Sequence, residues 1–273
     1  MTDMDNSIIE NVQARQMNTD LTDQVVAMAN DMIKGTSKLT LTEAKLLRLL
    51  IMQVKPTDED FSPFNVTVSE FSQLLNIDKS NIYREMDRIS GHLLSEVIYI
   101  GDGNPKHKWK KFQWLSYCAY ENGVLTIELN KHLKPYILGL KKWYTQYRLE
   151  EIIGFGSVHS IRIYELIAMA LRNQKPYGDA VTKVYIDADS IRKATNTAEK
   201  YERISQFKKK VLDIAIKEIN EKSSYHVHYE EHKEARRIVG FYFVVQSRSR
   251  YLYVEQTAEQ RNDPRQMTID DYT

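Results

Sequence analysis

The stretch NVTVSEFSQLLNIDKSNIYREMDRISGHLLS, residues 65–95, decides the fold of this chain. Residues 66–68 alternate like a short strand, and Ser69 then predicts the cap of a helix that ends near Leu75. Residues 76–79 are polar and predict a tight turn. From Ser80 onward apolar residues recur at spacings of four, three and four, which predicts a longer helix. The order strand, helix, turn, longer helix is typical of a helix-turn-helix.

The flanking sequence supplies the rest of a winged helix around this motif. Residues 21–33 and 42–54 carry helically spaced apolar residues, so we expect two helices there, the second capped near Thr42. Three β-type runs follow the motif, with Asn122-Gly123 as a hairpin turn: residues 97–100, 109–120 and 124–129. Helices closed by a β-hairpin wing describe a winged helix.

The second half of the chain repeats this order of elements. Residues 141–153 predict a helical connector, and Asp187 predicts a helix cap after a short strand. The other predicted elements are a helix at 157–172, a strand at 184–186, a helix ending at 194, a longer helix at 203–221, and a hairpin of 225–229 and 238–245. We therefore predict an α+β fold of two tandem winged-helix domains, each with a helix-turn-helix core and a β-hairpin wing.

The predicted boundaries divide the chain into four parts. Residues 1–20 are polar and aperiodic, so we expect a flexible N-terminus, and the polar residues 251–273 predict a disordered tail. The first winged-helix domain covers residues 21–140 and the second covers residues 141–250.

Composition excludes several classes of protein but does not favour a ligand. The 273 residues include 38 basic and 37 acidic side chains, so net charge gives no support for nucleic-acid binding. Cys118 is the single cysteine, which excludes an intramolecular disulfide and a cysteine-based zinc site. The acidic N-terminus lacks the features of a secretory signal and no apolar run could span a bilayer, so we expect a cytoplasmic protein without membrane contact.

Three consecutive lysines stand in the first part of the long second-half helix, where acidic residues are usually favoured. Positive charge in the first turn opposes the helix dipole at a cost of about 0.3–1 kcal/mol. A polyanion outside the helix would convert that cost into an attraction. Opposite the apolar stripe lies a polar face whose side chains can bind phosphates and base edges. We predict a DNA-binding face, with a solvated basic face as the alternative, formed by Arg203, Gln206, Lys208, Lys209, Lys210, Asp213 and Lys217.

The first half offers a weaker basic set on the corresponding helix and on its wing. The helix presents Ser80, Asn81, Arg84 and Arg88, and the wing segment around Trp109 presents Lys106, Lys108, Lys110 and Lys111. These lysines suit a phosphate or minor-groove contact. Lysines that guard an edge strand against pairing are an equally good interpretation of the wing.

Three segments in the order and spacing of a known family carry a resemblance: YTQYRL (144–149), SVHSIRIYEL (157–166) and FKKKVLDIAIKEIN (207–220). Two others, TEAKLLRLL (42–50) and DKSNIYREM (78–86), also fit the first domain of that family. Over roughly residues 20–245 the chain resembles the Rep3 family of iteron-binding plasmid replication initiators. In this family, the residues just before the serine at the position of Ser157 are commonly more polar than residues 154–156 of this chain. A phosphate contact is expected at that place in the family.

The resemblance implies a non-enzymatic, sequence-specific DNA-binding protein that acts on plasmids in bacteria. Its domains would bind repeated sequences, the iterons, at a plasmid origin and help to open it. Monomers would bind iterons, and dimers formed through the first domain would bind an operator and repress the protein's own gene. The base-reading helix would be residues 203–221. The implied partners are double-stranded origin DNA, a second copy of the chain, and the host initiator and replicative helicase.

Two other functions remain as alternatives, and no cofactor is predicted. A tandem winged-helix transcriptional regulator would bind DNA without starting replication. His226-Val227-His228 matches the metal-binding triplet of rolling-circle initiators that nick DNA, and His232 could complete a zinc site, but Tyr251 and Tyr253 lack the expected context of a nucleophile.

Smaller motifs favour structural roles. Gly154-x-Gly156 lacks the third glycine of a dinucleotide fingerprint. We interpret Cys118 as a buried structural thiol, and Trp143, Tyr144 and Tyr147 as packing residues rather than a platform for stacked bases.

Overall fold

The helix-turn-helix of the first half forms as predicted in a computed structural model, which describes residues 14–22, 24–171 and 180–247. Strand β3 (Phe64–Thr67) leads into helix α3 (Val68–Leu75), and helix α4 (Ile82–Ser95) follows the turn. The cap is Thr67 rather than the predicted Ser69. The Thr67 hydroxyl accepts from the Glu70 amide at 3.2 Å, and the Glu70 carboxylate accepts from the Thr67 amide at 2.8 Å. This capping box fixes where the strand becomes a helix.

Around this motif the first half builds one sheet, a hairpin and several short helices. Helix α2 is capped by Thr40 instead of the predicted Thr42, again in a capping box with Glu43. The other elements are β1 (Arg15–Gln16), β2 (Val25–Ala29), α1 (Asn30–Lys34), α2 (Leu41–Met52), β4 (Val97–Ile100), β5 (Lys110–Gln113), β6 (Leu115–Glu121), β7 (Val124–Leu129) and α5 (Lys134–Ile137).

The strands of the first half form a four-stranded sheet in the order β1-β3-β7-β6 and a separate β4–β5 hairpin. Asn122 and Gly123, both with positive φ, form the predicted turn between β6 and β7. Residues 14–20 fell within the predicted flexible N-terminus, but Arg15 and Gln16 pair in parallel with Phe64 and Asn65. The reason is burial, since Met17 lies in the core. Residues 1–13 lie outside the described part of the chain.

The second half repeats the architecture with a longer wing. Its elements are β8 (Tyr144–Arg148), α6 (Glu150–Ile153), α7 (Val158–Leu171), β9 (Val181–Asp187), α8 (Ala188–Ala194), α9 (Ile204–Phe207), a π-helical turn (Lys208–Leu212), α10 (Asp213–Lys222), β10 (Tyr225–Glu234) and β11 (Arg237–Ser247). Asp187 caps α8 as predicted, by accepting from the Ser190 amide at 2.8 Å. The strands form an antiparallel sheet, β10-β11-β9. The predicted fold of two tandem winged helices is confirmed. The predicted tail, residues 251–273, lies outside the described ranges.

Two predicted helices are wrong over most of their length, because their residues pair with each other as strands. Residues 25–29, within the predicted helix 21–33, form β2, and residues 144–148, within the predicted connector, form β8. Thr145 and Tyr147 are buried while their neighbours are half-exposed, which is the period of a strand. The pairing crosses the predicted domain boundary at residue 140, so each half contributes one strand to this two-stranded sheet.

A buried ionic network joins the two halves below this sheet. Glu165 of α7 is fully buried and binds Arg48 of α2, which is 1% exposed. It also accepts from the Tyr147 hydroxyl at 2.6 Å and from Arg162 at 2.7 Å. Because the apolar core is continuous from α2 through α7 to the second sheet, the two winged helices share one interior. Within the described residues, no helix has the length and apolar character needed to cross a bilayer.

Candidate nucleic-acid interface

The long helix of the second domain, residues 204–222, contains a π-helical turn at its lysines. Phe207, Val211, Ala215 and Ile219 are buried at intervals of four residues. In a regular α-helix, side chains at every fourth position rotate gradually around the helix axis, because one turn holds 3.6 residues. The π turn has i→i+5 bonding and therefore more residues per turn, which offsets this rotation. The four side chains can therefore all face the core. The sequence predicts a regular helix over residues 203–221, and the structure differs from it by this π turn.

The opposite face of the long helix is exposed and polar. Of the seven residues predicted for DNA binding, six are exposed: Arg203, Gln206, Lys209, Lys210, Asp213 and Lys217. Within the described ranges, Lys209 and Lys210 have no ion-pair partner, and Lys217 lies 3.9 Å from the Glu221 carboxylate. Two adjacent lysines in the first half of a helix leave a local positive charge that the described part of the molecule does not neutralise.

The wing makes contacts with Lys208 and Asp213 of the predicted face that the sequence did not reveal. Lys208 is half-buried, and its ammonium binds the Glu231 carboxylate of β10 at 2.5 Å. The Tyr229 hydroxyl donates to Asp213 Oδ1 at 2.6 Å. Lys208 thus has its charge paired by a short contact to the wing, whereas the contact of Lys217 with Glu221 is longer, at 3.9 Å. Asp213 is exposed but held in one position by the wing.

The tip of the wing is basic, and the sequence reasoning missed it. Arg236 and Arg237 are exposed at the turn between β10 and β11. Together with Lys233 they line a groove of about 660 Å³ between the wing and α8. The groove also includes Asp189 and Glu202, so its charge is mixed. The run HKEARR, residues 232–237, was the available signal for this basic tip.

The first domain presents its predicted residues on the surface, but its helix cations are held by internal partners. Arg88 binds Glu85 at 3.0 Å and the buried Glu43 at 3.1 Å, and Arg84 donates to Asn81 at 3.0 Å. Ser80 is exposed as well. Helix α4 therefore has less available positive charge than the long helix of the second domain.

The lysines of the first wing lie exposed in and after the loop that joins β4 to β5. Lys106 and Lys108 are exposed in the loop, while Lys111 lies 5.1 Å from the Trp109 ring and Lys110 lies 5.4 Å from the Tyr136 ring. Lys193 of α8 binds the Asp102 carbonyl of the same loop at 2.7 Å. This contact brings the first wing beside the helix-turn-helix of the second domain.

The start of α7, where the resemblance implied a phosphate contact, is filled by a side chain of the protein. The amides of Gly156 and Ser157 donate to the Glu218 carboxylate at 2.7 and 3.1 Å. A carboxylate at a helix N-terminus satisfies the free amides and the helix dipole. An approaching phosphate would have to displace Glu218.

The histidines of the metal-dependent alternatives do not converge. His226 and His228 are exposed on the outer face of β10, and His232 packs edge-on against Tyr185. In the part of the chain described, no group of three His, Cys, Asp or Glu side chains is placed to hold a metal ion.

Cys118 packs against the core but is half-buried rather than fully buried, and the three aromatic residues differ in their burial. Burial raises the pKa of the Cys118 thiol to about 11, which disfavours the reactive thiolate. Tyr147 is buried in the ionic network between the domains. Trp143 is an exception to the predicted packing, since it is 63% exposed.

Comparison with known proteins places this arrangement in a family. Two family models match the chain: "Initiator Replication protein, WH1" over residues 25–168 and "Initiator Rep protein, WH2" over residues 187–245. A replication initiation protein of Escherichia coli is 26% identical over 205 residues, which cover 73% of this chain and 63% of that relative. The chain thus matches less than two thirds of that relative's length.

Two further matches cover a similar share of this chain. An uncharacterized 27.6 kDa protein of Escherichia coli is 23% identical over 211 residues, covering 72% of this chain and 85% of that protein. The crystal structure of the Pi initiator protein in complex with iteron DNA has a TM-score of 0.66 and 21% identity, covering 82% of this chain and 98% of that one. That likeness shows the fold, and the first family model alone matches more than half of the chain. The chain belongs to the initiator replication protein family.

Proposed function

We propose that the protein binds repeated duplex sequences at a plasmid origin and starts replication there without catalysing a reaction. One observation carries the proposal: Lys209 and Lys210 lie, without ion pairs in the described ranges, on an exposed helix face beside Gln206 and Asp213. Helices of this kind enter the major groove in winged-helix and helix-turn-helix proteins. Family membership and the fold shared with an initiator solved on iteron DNA support the same function.

In this function the second domain supplies most of the sequence readout. Lys209 and Lys210 would bind phosphates, and Arg203 would add a cation where the helix begins. Gln206 and Asp213 can hydrogen-bond adenine and the cytosine amino group, respectively. The basic wing tip, with Arg236 and Arg237, would lie against the backbone beside the helix. The first domain would add a weaker contact, because its helix cations are partly neutralised.

The first domain also has a surface suited to a second copy of the chain. β6 is an edge strand of its sheet, and Tyr117 and Tyr120 on it are about half exposed. Open edges favour pairing with another strand. We propose that dimers form here and repress the protein's own gene at an operator, whereas monomers bind iterons.

Origin opening would follow from several bound protomers. Bending duplex DNA over a 20–30 bp site costs on the order of 1–6 kcal/mol, so contacts from adjacent protomers are needed to strain an AT-rich segment. The host initiator and replicative helicase would then act on the opened strands.

The first experiment is selection from a random duplex pool at about 0.15 M salt, near physiological ionic strength, with sequencing of the bound fraction. We expect one motif that spans two successive major-groove faces. Lys209→Ala combined with Lys210→Ala should weaken the enrichment, and Lys131→Ala, an exposed lysine of the first domain, serves as the control. Flat enrichment by the unmodified protein would contradict sequence-specific binding.

A second test separates an initiator from a transcriptional regulator, since both bind DNA. A plasmid carrying the selected repeats and this gene should be maintained in a host that otherwise cannot replicate it. Repression of a reporter without plasmid maintenance would favour the regulator.

A further inference from the structure

The exposed face of the long second-domain helix carries one apolar side chain among its charges. Ile214 is 42% exposed, whereas its neighbour Ala215 is fully buried against the core. Asp213 precedes it, Lys217 follows three residues later and Lys210 lies one turn earlier. Residues three and four apart share one face of a helix. Ile214 is thus exposed beside Lys210 and Lys217, two residues of the face proposed to enter the major groove.

The position of Ile214, more than its exposure, sets it apart. Single exposed apolar residues are common on protein surfaces, and Val181 on the sheet of the same domain is more exposed. Ile214, however, is flanked by lysines and stands beside an aspartate that the wing holds in place through Tyr229. The π turn, residues 208–212, ends just before Asp213 and Ile214.

Base edges in the major groove offer one methyl group, on C5 of thymine, where cytosine has only a C–H. Their polar groups are hydrogen-bond donors and acceptors, which an isoleucine would leave unsatisfied. We infer that Ile214 is a specificity-determining residue that recognises thymine in the bound sequence through its methyl group. This inference rests on the proposed function and names one base that the site reads.

Replacing thymine by deoxyuridine tests the assignment, because uracil lacks only that methyl group. The probe is a duplex carrying the sequence enriched in the selection described above, with each thymine replaced in turn. We expect the unmodified protein to bind about fourfold more weakly when one particular thymine is replaced, the loss expected for one buried methyl. Ile214→Ala should weaken binding to the thymine duplex and bind both duplexes equally.

The two losses should therefore not add, as expected for groups in direct contact. Val181→Ala is the matched control and should keep the preference for thymine. If uracil binds as well as thymine at every position, or if Ile214→Ala keeps the full preference, the assignment is wrong while the proposed function stands. If the unmodified protein enriches no sequence, the proposed function fails and the assignment fails with it.

Discussion

Arg48 and Glu165 form two hydrogen bonds of 2.9 Å, although 117 residues separate them in the sequence. Arg48 belongs to α2 in the first half of the chain, and Glu165 belongs to α7 in the second half. Both side chains are buried, and Arg162 and Tyr147 supply further donors to the same carboxylate. The boundary between the winged helices thus depends on a fully partnered ionic cluster.

Removing one partner of this pair should destabilise the whole protein. Arg48→Met leaves Glu165 buried with fewer donors, so we expect the free energy of unfolding to fall by about 3–5 kcal/mol. Urea denaturation followed by circular dichroism measures it. Arg84→Met, which removes an exposed arginine, should change stability by less than about 1 kcal/mol. Equal effects of the two substitutions would contradict a structural role for the buried pair.

The same cluster predicts how stability depends on pH. Burial alone would raise the pKa of Glu165, but Arg48 and Arg162 outweigh it and hold the pKa below its ordinary value of 4.5. A lowered folded-state pKa means that the stabilisation is complete above pH 4.5 and is lost as the pH falls through the folded-state value. Urea midpoints at several pH values should show Glu165→Gln much less stable than the unmodified protein at pH 7. A gap that stays constant down to pH 3 would refute the linkage.

Lys209→Ala and Lys210→Ala should each weaken binding to all DNA sequences by a similar factor. If each lysine neutralises one phosphate, the slope of log affinity against log salt should become less steep by about one unit per substitution. Fluorescence anisotropy between 50 and 200 mM salt, the range over which such contacts lose their affinity, gives the slope. An unchanged slope in both variants would mean that neither lysine contacts a phosphate.

Asp213→Ala should relax the preference at one base pair, by about 1–3 kcal/mol. Because Tyr229 donates a hydrogen bond to Asp213, Tyr229→Phe should relax the preference at the same base pair to a smaller degree. Competition binding with single-base variants of the selected sequence compares the two. A loss at different base pairs would show that Tyr229 does not act through Asp213. Gln206→Ala should relax the preference at a different base pair. It therefore serves as the control that each substitution acts at its own base pair.

Glu231→Gln should strengthen binding to DNA of any sequence. The substitution removes a negative charge beside the proposed interface and releases Lys208 from its 2.5 Å ion pair. A phosphate could then take the place of the carboxylate as the partner of Lys208. Affinity for a random duplex at 100 mM salt should rise, with unchanged base preference. Glu59→Gln, which changes an exposed glutamate between α2 and β3, controls for the change in net charge.

Local sequence signals predicted the two helix-turn-helix motifs because those signals act within a few residues. Apolar spacing in residues 82–93, the left-handed turn at Asn76 and the cap at Asp187 need no distant partner. The exposed polar face of the long second-domain helix was also predictable, because the spacing of apolar residues shows which side of a helix is buried and which is exposed. The caps of α2 and α3 in the first domain lie two residues before the predicted positions. Each cap is a threonine that forms hydrogen bonds with a glutamate three positions later.

What the sequence could not provide depends on contacts between distant segments. Residues 25–29 and 144–148 contain Val, Thr and Tyr, which favour strands, but the partner of each segment lies more than 100 residues away in the sequence. Likewise, nothing near Lys208 indicates that Glu231 neutralises it, and nothing near Asp213 indicates that Tyr229 holds it. The π turn could have been suspected from the strict spacing of four between Phe207 and Ile219.

The β2–β8 pair also constrains how this protein can recombine with its relatives. A chimaera joined at residue 141 would take Val25–Ala29 from one parent and Tyr144–Arg148 from the other, and the two strands would have to match in register and in their buried side chains. Recombination can preserve the pair only if both strands come from the same parent. A junction after α7 meets this condition, and it still exchanges the long helix of the second domain together with its wing.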